Sequence, residues 1–92
     1  MRATTRRVAL KEILGQNIRV YRAAKGLSQE DLAEKAGIKR TYVGSIERGE
    51  VDPRLGTVNK IADGLGVDAF KLLVPAAEQL AAGIEAVTGK RR

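Results

Sequence analysis

Apolar residues recur along this chain at helical spacing, and glycines and short polar breaks interrupt them. Leu10, Ile13, Leu14, Ile18 and Tyr21 form the first series and predict a helix from about Ala9 to Lys25, stopped by Gly26. Ser28 is a good N-cap for a second helix over Gln29 to about Lys35, with Asp31 at the reciprocal capping position. Leu27 and Leu32 flank that cap at the spacing of a hydrophobic staple. Gly37 allows the left-handed backbone of a sharp helix–helix turn. A third helix spans roughly Arg40 to Arg48, with Val43 and Ile46 inward, although Lys39 is a poor N-cap. Gly49 ends it, and Asp52-Pro53 marks the start of a fourth helix. That helix carries Leu55, Val58, Ile61, Ala62 and Leu65 on one face and closes at Gly66. Its Gly56 and Gly64 each weaken it by about 1 kcal/mol relative to alanine. Asp68 is placed to cap a fifth, short helix through Phe70, Leu72 and Leu73, stopped before Pro75. Beyond it, Ala77, Leu80, Ile84 and Val87 make a two-heptad apolar seam within Ala76–Thr88. No internal repeat and no convincing strand alternation is present in the sequence. The expected fold is all-α. It comprises a basic arm (1–9), a five-helix domain (10–74), and a C-terminal amphipathic helix with a basic tail (75–92).

Composition narrows the functions open to such a bundle. Ninety-two residues make one small domain, and aromatics are 3% of them, so the core must be aliphatic. There is no cysteine and no histidine, which removes disulfides, thiol chemistry, Cys/His zinc sites and the usual imidazole base. Carboxylates are present, but no nucleophile–base pair, metal cluster or phosphate loop accompanies them. The expectation is no enzyme, no cofactor, no metal and no small-molecule ligand. No long apolar run spans a membrane and no signal-peptide pattern opens the chain, so a cytoplasmic protein without a membrane partner is expected. The net charge is +6 and the pI about 10.1. Residues 1–27 hold seven cations against Glu12, whereas residues 28–75 carry seven cations and eight anions. A surplus of this kind either meets a polyanion or merely keeps the chain in solution.

The segment from Ser28 to Gly49 decides between those readings. Numbered from Gln29, apolar residues fall at positions 4, 8, 10, 15 and 18: Leu32, Ala36, Ile38, Val43 and Ile46. Small Ala33 stands at position 5, where two helices cross, and Gly37 at position 9, in the turn. Two short helices joined this way place the second in the DNA major groove.

Here the chain resembles the Cro/C1-type (XRE-like) helix-turn-helix proteins, over about Leu14 to Leu73. The resemblance rests on Gly15 and Ile18, Gly26-Leu27-Ser28-Gln29, Ala36-Gly37-Ile38 and Ile46-Glu47-Arg48-Gly49, continued by Ile61-Ala62 and Leu65-Gly66-Val67. It implies a lambda-repressor-like domain that binds double-stranded DNA. By the family pattern Gln29 meets a phosphate, while Arg40, Thr41 and Ser45 reach base edges. Arginine can grip guanine O6 and N7 with two hydrogen bonds. Tyr42 contacts DNA or packs against a neighbouring helix. Arg48 and Arg54 flank the helix as phosphate ligands, and Arg54 has Asp52 and Glu50 as alternative partners. Lys39 and Arg54 stand where the family usually has a small polar residue, which weakens local capping and adds two phosphate ligands. Glu47 is assigned to structure, paired with Arg22.

The ends leave alternatives open. Arg2, Arg6 and Arg7 form either a minor-groove arm or a disordered tail. The seam of Leu80, Ile84 and Val87, with Phe70 and Leu73, is read as a homodimer interface; a lid on the core or a docking helix are the alternatives. A dimer suits paired half-sites about 10 bp apart. The leading expectation is a homodimeric transcriptional regulator, a repressor by occupancy, with RNA polymerase as a further contact. The Arg40-Thr41-Tyr42 run and the short length resemble controller proteins of restriction–modification systems; phage repressors and antitoxins are similar. The competing class is a protein–protein adaptor that binds its partner through the C-terminal helix.

Overall fold

The structure, a computed structural model, describes residues 9–81. Four α-helices come first: α1 (Leu10–Ala24), α2 (Gln29–Ala36), α3 (Arg40–Glu47) and α4 (Leu55–Leu65). A 3-10 helix over Ala69–Leu73 and α5 (Ala76–Ala81) follow. Among the described residues there is no strand, so the protein is all-α, as the periodicity predicts.

The helix ends explain why the elements are short. Ser28 Oγ accepts the Asp31 amide at 2.9 Å and Asp31 Oδ2 accepts the Ser28 amide at 3.0 Å, a complete capping box at the start of α2. These bonds hold the Asp31 carboxyl below its ordinary pKa, because they favour its charged form. At the other end Gly37 adopts φ 72°, and the Ile38 amide reaches back to Ala33 O at 3.0 Å. This Schellman closure recurs after α1, α3 and α4, at Gly26, Gly49 and Gly66.

The core is aliphatic, with one aromatic ring in it. Leu14, Ile18 and Tyr21 of α1 meet Leu32 and Ala36 of α2, Val43 and Ile46 of α3, and Val58, Ile61 and Leu65 of α4. Leu72 closes the cluster from the 3-10 helix. Each leucine, isoleucine or valine among them contributes about 1.5–3 kcal/mol on burial. α1 packs on α3 and the 3-10 helix, and α2 packs on α3 and α4. The α1–α3 crossing is close: a Cβ at Gly15 would lie 2.6 Å from the carbonyl oxygens of both Ile46 and Glu47.

Four expectations are corrected. α4 begins at Leu55 behind an extended Arg54, not at Pro53. Proline's φ suits extended chain as well as the first helical turn, so an Asp-Pro step locates a start only to within a couple of residues. The fifth helix is a 3-10 turn, and the Asp68 side chain does not cap it. Leu10 and Leu55 are 57% and 76% exposed rather than inward. Each is the first residue of its helix, one turn ahead of the buried Leu14 and Val58. Gly64, in turn, is more than a weak point: a Cβ there would sit 3.2–3.3 Å from Leu32, Lys35 and Ala36, so it permits the α2–α4 contact.

A buried polar clasp ties α5 to the domain. Asn17 Nδ2 donates to the carbonyls of Leu72 (2.8 Å) and Val74 (2.9 Å). Gln79, 1% exposed, donates through Nε2 to Lys71 O and Val74 O and accepts the Tyr21 hydroxyl at 3.0 Å. α5 therefore turns Gln79 inward, while Ala77 of the expected seam is exposed. The Leu80 side chain, Ile84 and Val87 lie outside the described residues, as do Arg2, Arg6 and Arg7.

Candidate nucleic-acid interface

The two helices of the motif, α2 and α3, turn about Gly37 so that α3 keeps one face in the core and one in solvent. Val43, Gly44, Ile46 and Glu47 are buried. Arg40, Thr41 and Arg48 are exposed, and Ser45 is half-exposed. Lys39, the extended residue before α3, is exposed, and neither it nor Arg54 caps its helix through its side chain. The outward face thus gathers the residues the resemblance named for base edges. Tyr42 is half-buried and packs against the core.

Glu47 is the hub beneath this face. Its carboxylate accepts Arg22 Nε at 2.7 Å and Arg22 Nη2 at 3.1 Å. The expected helix-one pair is therefore present and bidentate. Arg22 also donates Nη1 to Leu27 O at 2.9 Å, which ties the α1–α2 junction to the same group. Two partners of Glu47 went unseen in the sequence. Arg19 Nη2 donates to its carbonyl at 2.6 Å, and Gln29 Nε2 to its Oε1 at 3.0 Å. Gln29 Oε1 in turn accepts Arg40 Nη1 at 3.2 Å. Gln29 is therefore bonded on both sides of its amide. Arg19 had a signal, since it lies three residues before Arg22 and so shares its helix face. The Gln29–Arg40 bond had none, because it spans the turn.

The flanking arginines differ from one another. Arg48 forms an exposed bidentate pair with Glu50, at 2.9 and 3.2 Å. Its hydrogen bonds hold the Glu50 carboxyl below its ordinary pKa and raise that of Arg48. Of the two partners anticipated for Arg54, Glu50 is thus taken by Arg48 and Asp52 is not engaged, so Arg54 makes no ion pair among the described residues. Phe70 is 58% exposed, and Leu73 lines a cleft of about 140 Å³ with Leu10, Leu14, Pro53, Leu55 and Val58, rimmed by Lys11 and Asp52. Among the described residues no group of His, Cys, Asp or Glu is arranged to hold a metal ion, and no helix is long and apolar enough to cross a membrane.

Comparison with known proteins agrees with this geometry. The helix-turn-helix family matches residues 18–72. The control protein C.SmaI of Serratia marcescens is 48% identical over 64 residues, which are 70% of this chain and 76% of that protein. The crystal structure of the hypothetical transcription factor NHTF from Neisseria superposes with a TM-score of 0.77 at 42% identity, covering 80% of this chain and 85% of that one. The restriction-modification controller C.AhdI of Aeromonas hydrophila gives 0.66 at 42% identity, over 67% and 94%. Fold, motif and relatives agree: the chain belongs to the Cro/C1-type (XRE-like) helix-turn-helix family of DNA-binding transcriptional regulators.

Proposed function

We propose that this protein is a sequence-specific regulator that acts as a homodimer, one α3 per half-site in the major groove, and represses by occupying a promoter. The observation that carries this is the exposed face of α3, where Arg40, Thr41 and Ser45 stand free of the core. In this reading Arg40 takes a guanine edge, Thr41 and Ser45 read neighbouring bases, and Gln29, Lys39, Arg48 and Arg54 follow the phosphates. Tyr42, packed inward, supports the helix and brings only its rim near the backbone. Control of a restriction–modification operon is the narrower reading, supported by the likeness to the restriction-modification controller C.AhdI.

The dimer contact is assigned to the face of Phe70 and Leu73. In a 3-10 helix residues i and i+3 share one side, so these two lie together. Leu73 opens onto the cleft shared with the exposed Leu10 and Leu55. The same apolar surface favours a second reading, in which another protein such as polymerase docks there.

Selection from random duplex DNA at near-physiological salt tests the proposal. A two-fold symmetric motif with half-sites one helical turn apart is the expected result. Recovery of no motif, with only salt-sensitive general binding, overturns sequence-specific regulation and leaves the partner-docking reading.

A further inference from the structure

The bonds from Arg22 through Glu47 and Gln29 to Arg40 run in one direction. A guanidinium only donates and a carboxylate only accepts. Gln29 lies between one of each. Its amide nitrogen must face Glu47, at 3.0 Å, so its oxygen must face Arg40, at 3.2 Å. Glu47 itself is held by the bidentate grip of Arg22 and is 5% exposed, so the polarity is set from inside the domain. At Gly44 of α3 a Cβ would stand 3.8 Å from both Gln29 amide atoms, in ordinary van der Waals contact, and 3.1 Å from Arg48 Nη1.

We propose that Glu47 and Gln29 are positioning residues for base recognition, with the buried carboxylate orienting the Gln29 amide so that it presents an acceptor to Arg40. Held by one Nη1 proton, the Arg40 guanidinium keeps its Nη2 protons and its second Nη1 proton free, enough for both acceptors of a guanine edge. The tether removes part of the rotamer freedom that a long side chain otherwise loses on binding. Glu47 touches no base, yet it governs discrimination at the base pair that Arg40 reads. This rests on the reading of Arg40 as a base-edge ligand.

The test uses the full chain, the selected operator and operators changed at single base pairs. Arg40→Ala first identifies the base pair at which preference is lost. Gln29→Ala, at a half-exposed position, is then expected to reduce preference at that same base pair about threefold to tenfold, the worth of one hydrogen bond. Preferences elsewhere in the half-site stay unchanged. Gln29→Glu alone sets two carboxylates against each other. The exchange Gln29→Glu with Glu47→Gln restores a donor facing an acceptor, so it is expected to discriminate better at that base pair than either single variant. Thermal melting confirms which variants are folded, and the Gln29→Ala result stands if the Glu47 variants are not. Two results overturn the inference while Arg40 remains a base reader: unchanged preference in Gln29→Ala, or a loss equal on every sequence, which marks Gln29 as a phosphate ligand only. A uniform loss in Arg40→Ala overturns the base-reading assignment and this inference with it.

Discussion

Glu47 lies 5% exposed where α1, α2 and α3 meet, and its cost of burial is offset only by its partners. Arg22, with 18% of its side chain exposed, supplies the nearer charge at 2.7 Å, and the more exposed Arg19 stands behind it at 3.9 Å. Arg22→Met removes that charge and three hydrogen bonds, two to Glu47 and one to Leu27 O, while leaving the carboxylate enclosed. The expected loss is about 3–5 kcal/mol in urea unfolding, the usual penalty for stripping one member of a buried pair. Arg22→Met combined with Glu47→Leu is expected to be less damaging than Arg22→Met alone, since no unpaired charge remains. A double variant as unstable as the single one counts against burial as the cause. The Arg22–Glu47 pair was legible through the family resemblance, because both residues stand at motif positions. The Gln29–Arg40 bond was not, because its geometry depends on the angle between α2 and α3. That angle is set by core contacts such as Leu32, Ala36, Val43 and Ile46 acting together.

At the scale of elements, α5 is tied to the domain by two buried amides, Asn17 and Gln79. Tyr21 donates to Gln79, and burial raises the Tyr21 pKa above its ordinary value. A raised folded pKa means that the contribution to stability is present below about pH 10, the unfolded value, and is lost as pH climbs through the folded one. A phenolate also cannot donate to Gln79. The melting temperature of the wild-type chain is therefore expected to fall more steeply above pH 10 than that of Tyr21→Phe, which lacks the titrating group; parallel curves would assign the alkaline slope to other residues. In α4, a Cβ added at Gly56 would meet no neighbouring group within 4 Å, so Gly56→Ala is expected to add up to about 1 kcal/mol through helix propensity, read by the same melts. Helix ends with a local chemical signature were legible in the sequence: Ser28 with Asp31, and the glycines 26, 37, 49 and 66. The start of α4 was less so, because Pro53 fits two backbone states. The clasp was hidden for another reason. Asn17 sits on an apolar face and Gln79 among alanines, and neither sequence position tells whether the polar group finds a partner across the fold.

For the whole molecule, the proposed dimer and the phosphate contacts make separate predictions. Phe70→Glu places a charge on the exposed ring's position without touching the core. In sedimentation it is expected to keep the chain monomeric at concentrations where the wild type dimerises, and affinity for a paired site then drops to that of one half-site. An unchanged association state would move the contact away from this face. Electrostatics gives the second. Arg48 meets the backbone in the proposed complex, yet in the free protein both oxygens of Glu50 already hold it. The depressed Glu50 pKa keeps that carboxylate charged at neutral pH, so any phosphate that takes Arg48 must compete with an anion. Glu50→Gln removes the competitor and its repulsion from DNA. Affinity is therefore expected to rise several-fold on operator and non-operator duplexes alike, since a phosphate contact carries no sequence information. The slope of log affinity against log salt is expected to steepen, by up to about 0.9, because the Arg48 charge on its phosphate is no longer offset by Glu50. Titrations of both proteins across a salt series decide it. A rise confined to the operator would place Arg48 at a base edge, and no rise at all would place it away from the DNA.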